Sequence, residues 1–246
     1  MNNEKIDIVI PLSSESFSDN LELRLALRSI DRFAAGAGKV WIIGDTVPDW
    51  LQNVRILPVP DRHCHNKDAN IIDKLLAAVS EKELSRRFVF WSDDQIALYR
   101  FILNDLVPVY NRRNAQDFQS DRIWHRRMRN TFAWLKKQNI TLNWNWDSHV
   151  PQIMQKNSFR KLMQYLNYQV EPGYCINTLY FGLLRTPPGL EQSRIKTTCE
   201  STQYYETLPE GRLFLGYNDD ACRGNILQLL QEYLPDRSVY EKAITS

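Results

Sequence analysis

Residues 87–94 read RFVFWSDD. The unbroken apolar run Phe88 to Trp91 fits a short strand buried on both faces. It stops at Ser92-Asp93-Asp94, a polar turn with two adjacent carboxylates. Working upstream, similar runs occur at Asp7 to Leu12 (DIVIPL), Lys39 to Gly44 (KVWIIG) and Val54 to Val59. Helical patterns separate them. Leu21 to Phe33 (LELRLALRSIDRF) carries Leu23, Leu27 and Ile30 on one face, and Asn66 to Val79 carries Ile72, Leu75, Leu76 and Val79. A polar loop, Ser13 to Asp19, follows the first strand. This alternation predicts an α/β fold with a mostly parallel central sheet flanked by helices.

Downstream of Asp94 the pattern is less regular. A strand is expected at Asp105 to Tyr110 and helices at Asp121 to Asn139 and Asn157 to Leu166. Tyr174 to Leu184 reads as a strand pair or as a strand entering a helix. Gly211 to Leu215 reads as a strand and Asp220 to Tyr233 as a closing helix. The 246 residues suit one domain, since a single core can serve up to roughly 250–300 residues.

The composition excludes several classes. The chain is 43% hydrophobic and 24% charged, with no long polar tract, which argues for an ordered globular fold. A net charge of +2 gives no basic stripe of the kind nucleic-acid binders carry. The strongest local candidate, Arg122 to Arg129, reads better as a solvated or phosphate-facing helix face. No apolar run approaches the ~20 residues of a membrane span. No signal peptide is expected, because the polar N-terminus leads directly into a strand. The cysteines Cys64, Cys175, Cys199 and Cys222 are scattered, which suits reduced thiols and a cytoplasmic setting.

The chemistry concentrates at strand ends, where open α/β sheets bind ligands. Asp93 and Asp94 repel each other unless a positive charge lies between them. Mg²⁺ or Mn²⁺ supplies it, prefers oxygen ligands and can bridge to a diphosphate. The plain alternative is a strand-ending turn. His149, within Asp147-Ser148-His149-Val150-Pro151, could complete a metal shell or act as acid or base, and Asp147 could orient an acceptor hydroxyl or take its proton. The alternative there is a polar loop ended by Pro151. Trp144 and Trp146, just upstream, suit a platform for an acceptor sugar. Asn66 and Lys67 open a helix, where an anion site and a simple N-cap are both possible. Arg24 and Arg28 share one helix face, either solvated or phosphate-binding. Asn218-Asp219-Asp220 fits a helix cap, with a contribution to the site as its rival. His63-Cys64-His65 lacks the spacing and the fourth ligand of a closed zinc site.

Taken in order, DIVIPL, ELRLALRSI, KVWIIGD, VRILPVPD, NKDANIIDKLLAAV and FVFWSDDQIAL resemble A-type-fold (Rossmann-like) glycosyltransferases of bacteria and phages. More narrowly, the chain resembles enzymes related to the Stealth capsular-polysaccharide phosphotransferases. The LR-LRSI helix is here Leu23 to Ile30, the acidic strand end is Ser92 to Asp94, and the H-x-P element is His149-Val150-Pro151. The likeness spans roughly residues 6–165. It implies a nucleotide-sugar half, 1–100, and an acceptor half, 101–246, whose C-terminal lobe is irregular. It implies Asp93 and Asp94 as metal residues, with Asp93 also near the donor, and His149 as a further metal residue. It implies that Arg28, Asn66 and Lys67 face the nucleotide-sugar donor and that Asp147 and His149 serve catalysis. Ser92 stands where the longer D-x-D form has its first carboxylate. The implied reaction moves a sugar from a nucleotide donor to a glycan or other hydroxyl acceptor, assisted by Mn²⁺ or Mg²⁺. The alternatives are sugar-phosphate transfer from the same donor and a non-catalytic nucleotide- or sugar-binding module.

Overall fold

The structure is a computed structural model that describes residues 5–14, 20–209 and 211–243. Most of the loop expected at Ser13 to Asp19 lies outside them. In chain order the principal strands are β1 (Ile6–Pro11), β2 (Ala37–Gly44), β3 (Arg55–Pro58), β4 (Arg87–Phe90), β5 (Gln95–Ala97), β6 (Gln152–Gln155), β7 (Lys196–Cys199) and β8 (Phe214–Tyr217). The principal helices are α1 (Leu21–Phe33), α2 (Lys67–Ser80), α3 (Ile123–Lys137), α4 (Lys156–Gln164), α5 (Ile176–Leu183), α6 (Asp219–Cys222) and α7 (Ile226–Tyr233).

The central sheet runs β3-β2-β1-β4-β6. Its first four strands are mutually parallel, and β6 adds to β4 antiparallel. The apolar runs explain this layout. Successive side chains leave a strand on opposite faces, and here both faces are covered. Val9, Trp41, Ile43, Phe88 and Phe90 pack against α2, α4 and α5. Ile8, Ile10, Val40, Ile42, Val89 and Trp91 pack under α1. Helices α1 and α2 therefore cover opposite faces, and the strand order reverses between β1 and β4. That reversal is the topological switch point, where the strand ends diverge and leave a crevice.

A second sheet, β7-β8-β5, pairs β7 with β8 parallel and β8 with β5 antiparallel. It buries Ile96, Leu98, Leu215 and Tyr217 against Leu25 and Ala26 of α1 and against α7. Helix α1 is thus packed between the two sheets. At the C-terminal end, buried Glu241 receives Arg24 Nη1 at 2.8 Å and Arg28 Nε at 2.8 Å, fastening the last residues to α1. Under the carboxyl edge of the central sheet, the buried Lys74 ammonium donates to Leu12 O at 2.7 Å and pairs with Asp61.

Several expectations for the second half are corrected. At 105–110 only Val109–Tyr110 is extended, after a 3-10 turn at Leu103–Asp105. Residues 176–183 form a helix with no strand before it. The strand expected at 211–215 lies at Phe214–Tyr217. The closing helix is broken into α6 and α7, with Gly224 between them. Strands β5 and β6 carry no apolar run of their own strong enough to announce them, and tertiary pairing forms them.

Candidate functional site

Strand β4 delivers Asp93 and Asp94 to the switch point. Trp91 N still bonds Val9 O at 3.0 Å, so the ladder reaches the end of the apolar run. The chain then turns sharply. Gln95 N donates to Ser92 O at 3.2 Å, Ser92 N donates to the Gln95 side chain at 3.3 Å, and the buried Trp91 indole donates to Gln95 O at 2.7 Å. The turn that lifts both carboxylates is therefore held from inside the core.

Because β6 runs antiparallel to β4, with Phe90 opposite Gln152, the residues just before β6 lie beside those just after β4. His149 thereby meets Asp94, Nε2 to Oδ2 at 3.2 Å. Its loop is bolted down. Trp146 N donates to Thr178 Oγ1 at 3.0 Å, Asp147 N donates to the Asn145 side chain at 3.0 Å, and Gln152 donates to Ser148 Oγ at 3.0 Å. His149 itself has φ +52°, a left-handed conformation uncommon in non-glycine residues. Such outliers concentrate at functional sites, where surrounding structure sustains them. Its side chain is 47% accessible, so the pair faces an opening.

The second sheet completes the group. Gly216 on β8 lies opposite Gln95. A Cβ at this glycine would come within 2.6 Å of Lys196 Cε, 2.9 Å of its Nζ and 3.5 Å of His149 Nδ1. The missing side chain therefore leaves room for Lys196, while His149 would be in ordinary contact beside it. Lys196 is buried and donates to Ser148 O at 3.3 Å. Glu22, in the first turn of α1, adds a third carboxylate to the field of Asp93 and Asp94.

The electrostatics separate the carboxylates. Burial, reinforced by Asp94 and then Glu22, pushes Asp93 up to about 7. Burial and Asp94 likewise push Glu22 to about 7. Asp94 feels the same burial, but the charge and hydrogen bond of His149, together with Lys196, hold it below the usual carboxylate range. Its charge in turn raises His149 above the ordinary imidazole value. Burial lowers Lys196 to about 8, against the pull of Asp94. Within this group two buried oxygens, Asp94 Oδ1 and Tyr217 Oη, have no hydrogen-bond partner among the described residues, as is also true of Asp68 Oδ2 and Asn177 Oδ1 elsewhere. A buried polar atom left without a partner is rare and points to an ion, water or ligand. Burial raises the Tyr217 phenol, and the charges of Glu22, Asp94 and Asp93 raise it further, which ties it to this group.

A second polar group lies on the other side of the 145–149 loop. Asp147 accepts from the Trp124 indole at the start of α3. Asp68, in the first turn of α2, pairs with Arg127 Nε at 2.8 Å. Burial raises Asp68 to about 7, with Arg127 lowering it and Asp147 raising it. Asp147 also raises both His149 and Lys196, which links the two groups across the loop.

The remaining candidates are distributed as follows. Asn66 caps α2, accepting from Ala69 N at 3.1 Å, and its amide donates to Tyr168 O at 3.1 Å. Lys67 is exposed on the first turn beside Asp68. Arg28 is taken up by Glu241 and by Leu234 O at 2.9 Å, and Arg24 by Glu241 and the face of Trp50. Neither guanidinium joins the Asp94 group. Trp146 is fully buried against Phe181, so its part in the expected sugar platform is corrected, because a buried indole offers no free face; Trp144 is only partly buried. Asn218 accepts from Ala221 N at 3.1 Å as a plain cap. His63 pairs with Asp73 at 3.1 Å, beside a cavity of about 370 Å³ lined also by Val59, Arg62 and Gln169. A second cavity of about 220 Å³ lies at the ends of β1 and β2, lined by Ser13, Ser14, Asn20 and Trp50. Neither cavity includes the Asp94–His149 pair, whose unmet buried oxygen and opposed charges are the stronger mark of chemistry.

Compared with protein-family models and with curated proteins, the chain finds no match. Among the described residues, no set of three or more His, Cys, Asp and Glu side chains is arranged to hold a metal ion, and no helix is long and apolar enough to cross a membrane. Sequence reading missed Lys196, Glu22, Gly216 and Tyr217. Each reaches the site from a distant segment, and nothing local marks it.

Proposed function

We propose that the chain is a transferase acting on a nucleotide-sugar donor, with an A-type glycosyltransferase-like fold. The observation that carries this reading is the polar group at the switch point, in which Asp94 Oδ1 and Tyr217 Oη are buried without partners. That crevice is where open α/β sheets take nucleotides. Asp93 and Asp94 fit a divalent cation through the unpartnered Asp94 oxygen and the neighbouring carboxylate. Bound there, Mn²⁺ or Mg²⁺ would supply positive charge to a departing nucleoside diphosphate. His149 fits a different part from the metal ligand first expected of it. Its Nε2 rests on Asp94 Oδ2, so it keeps Asp94 ionised and oriented. Asp147 is the carboxylate on the acceptor side, fixed by Trp124, and is positioned to orient an acceptor hydroxyl or take its proton. Asp68, at the start of α2, flanks the same side.

A thermal-shift screen of nucleotide sugars, with and without Mn²⁺, tests the reading, since a ligand of the folded state raises its melting temperature. One donor class should stabilise the protein. Release of a nucleoside diphosphate during turnover assigns sugar transfer, whereas release of a monophosphate assigns sugar-phosphate transfer. Stabilisation without turnover or donor hydrolysis reduces the chain to a binding module. Absence of any stabilising donor would refute the reading.

A further inference from the structure

A buried lysine needs a reason. Lys196 opens β7, and its side chain crosses β8 at Gly216, the one β8 position whose Cβ would collide with both Cε and Nζ. The ammonium is delivered to the side of Gly216 that His149 Nδ1 also approaches. An ammonium carries three donors, and Ser148 O at 3.3 Å accepts one of them. Asp94 lies close enough for their charges to interact, without a direct ion pair. The fold thus places a desolvated cation beside the carboxylate turn at the switch point. Lysine binds phosphate as a point charge, and in a water-poor setting that attraction is much stronger than in bulk water.

We propose that Lys196 is an anion-binding residue of this site, holding the diphosphate of the nucleotide-sugar donor as a built-in positive charge that acts alongside a divalent cation and also without one. The proposal rests on the donor reading above and deepens it. Part of the charge compensation for Asp93, Asp94 and Glu22 then comes from the chain itself. It also gives Gly216 a task, since any larger residue there would displace the ammonium from its place beside Ser148.

The test is calorimetric titration with nucleoside diphosphates, inorganic pyrophosphate and inorganic phosphate, each in EDTA and in Mn²⁺. The wild type should bind at least one nucleoside diphosphate in EDTA, and more tightly in Mn²⁺. Lys196→Met should lose at least about tenfold of the EDTA affinity while keeping its unliganded melting temperature or raising it, because a buried charge has been removed. Gly216→Ala keeps the lysine but displaces its tip, and should weaken the same binding. It decides the matter if the Lys196 variant does not fold. Wild-type binding in Mn²⁺ but none in EDTA would leave the donor reading standing and overturn the role of Lys196. So would unchanged EDTA affinity in a folded Lys196→Met, or in Gly216→Ala when that variant must decide. No binding of any nucleoside diphosphate in either condition would overturn both.

Discussion

Replacing Glu241 with glutamine tests the clasp that holds the end of the chain to α1. Glu241 is 3% exposed. Its oxygens accept from Arg24 Nη1 at 2.8 Å, Arg28 Nε at 2.8 Å, Arg28 Nη2 at 3.0 Å and Ser238 N at 3.0 Å. Burial alone would raise its pKa, but the bonds from Arg28, Ser238 and Arg24 prevail and bring it from 4.5 down to about 2. At 1.36 kcal/mol per tenfold change in proton affinity, this is worth about 3 kcal/mol to the folded state. The folded pKa is the depressed one. The contribution is therefore complete above the unfolded value near 4.5 and is lost as the pH falls through about 2. Glutamine preserves the shape and removes the charge, leaving two largely buried guanidinium groups facing a neutral amide. Glu241→Gln should therefore lose about 3 kcal/mol at pH 7, the lower end of what breaking a buried ion pair costs. At roughly 2–4 °C per kcal/mol for a chain of this size, its melting temperature should fall by about 6–12 °C. Urea unfolding of both proteins, from pH 7 down toward pH 2, measures the gap and its closure. A gap below about 1 kcal/mol at pH 7, or one that stays constant with pH, would refute the assignment of Arg24 and Arg28 to this clasp.

Three further outcomes are expected. Asp94→Ala should lose at least about tenfold in Mn²⁺-dependent nucleoside-diphosphate affinity by calorimetry, since tenfold is the loss of one ~1.4 kcal/mol contact; unchanged affinity would reduce the pair to a turn. His149→Gly relieves the φ +52° strain but removes the imidazole that rests on Asp94, so turnover and Mn²⁺-dependent nucleoside-diphosphate affinity should fall together by at least about tenfold, the loss of one ~1.4 kcal/mol contact. Normal turnover would assign His149 to the loop alone. Trp146→Ala should cost about 3–5 kcal/mol in urea unfolding, as expected for a fully buried aromatic, whereas a loss confined to acceptor binding with stability intact would restore the platform reading.

The central sheet was legible because its inner strands β1, β2 and β4 are buried on both faces, which forces runs such as Ile8 to Ile10 and Phe88 to Trp91 to be apolar throughout. Asp93 and Asp94 were legible for the same reason, as carboxylates that directly follow such a run. Strand β6 was not, because Gln152–Gln155 alternates and depends on β4 for its hydrogen bonds. Arg28 shows a different limit. Helical spacing put it beside Arg24, but spacing along one helix does not say what faces that helix, and Glu241 comes from the far end of the chain. Lys196 had no local signature at all, since its meaning depends on the absence of a side chain at Gly216.

The antiparallel strand β6 has a consequence for engineering. It belongs to the second half of the chain, yet it closes the sheet of the first half and carries His149 to Asp94. Lys196 and Gly216 arrive from still later in the sequence. A chimaera joined near residue 100 would receive a sheet edge, an imidazole and an ammonium that evolved against different neighbours. Recombining such proteins therefore calls for grafting individual loops around an intact β4–β6 ladder, because the halves are not interchangeable modules.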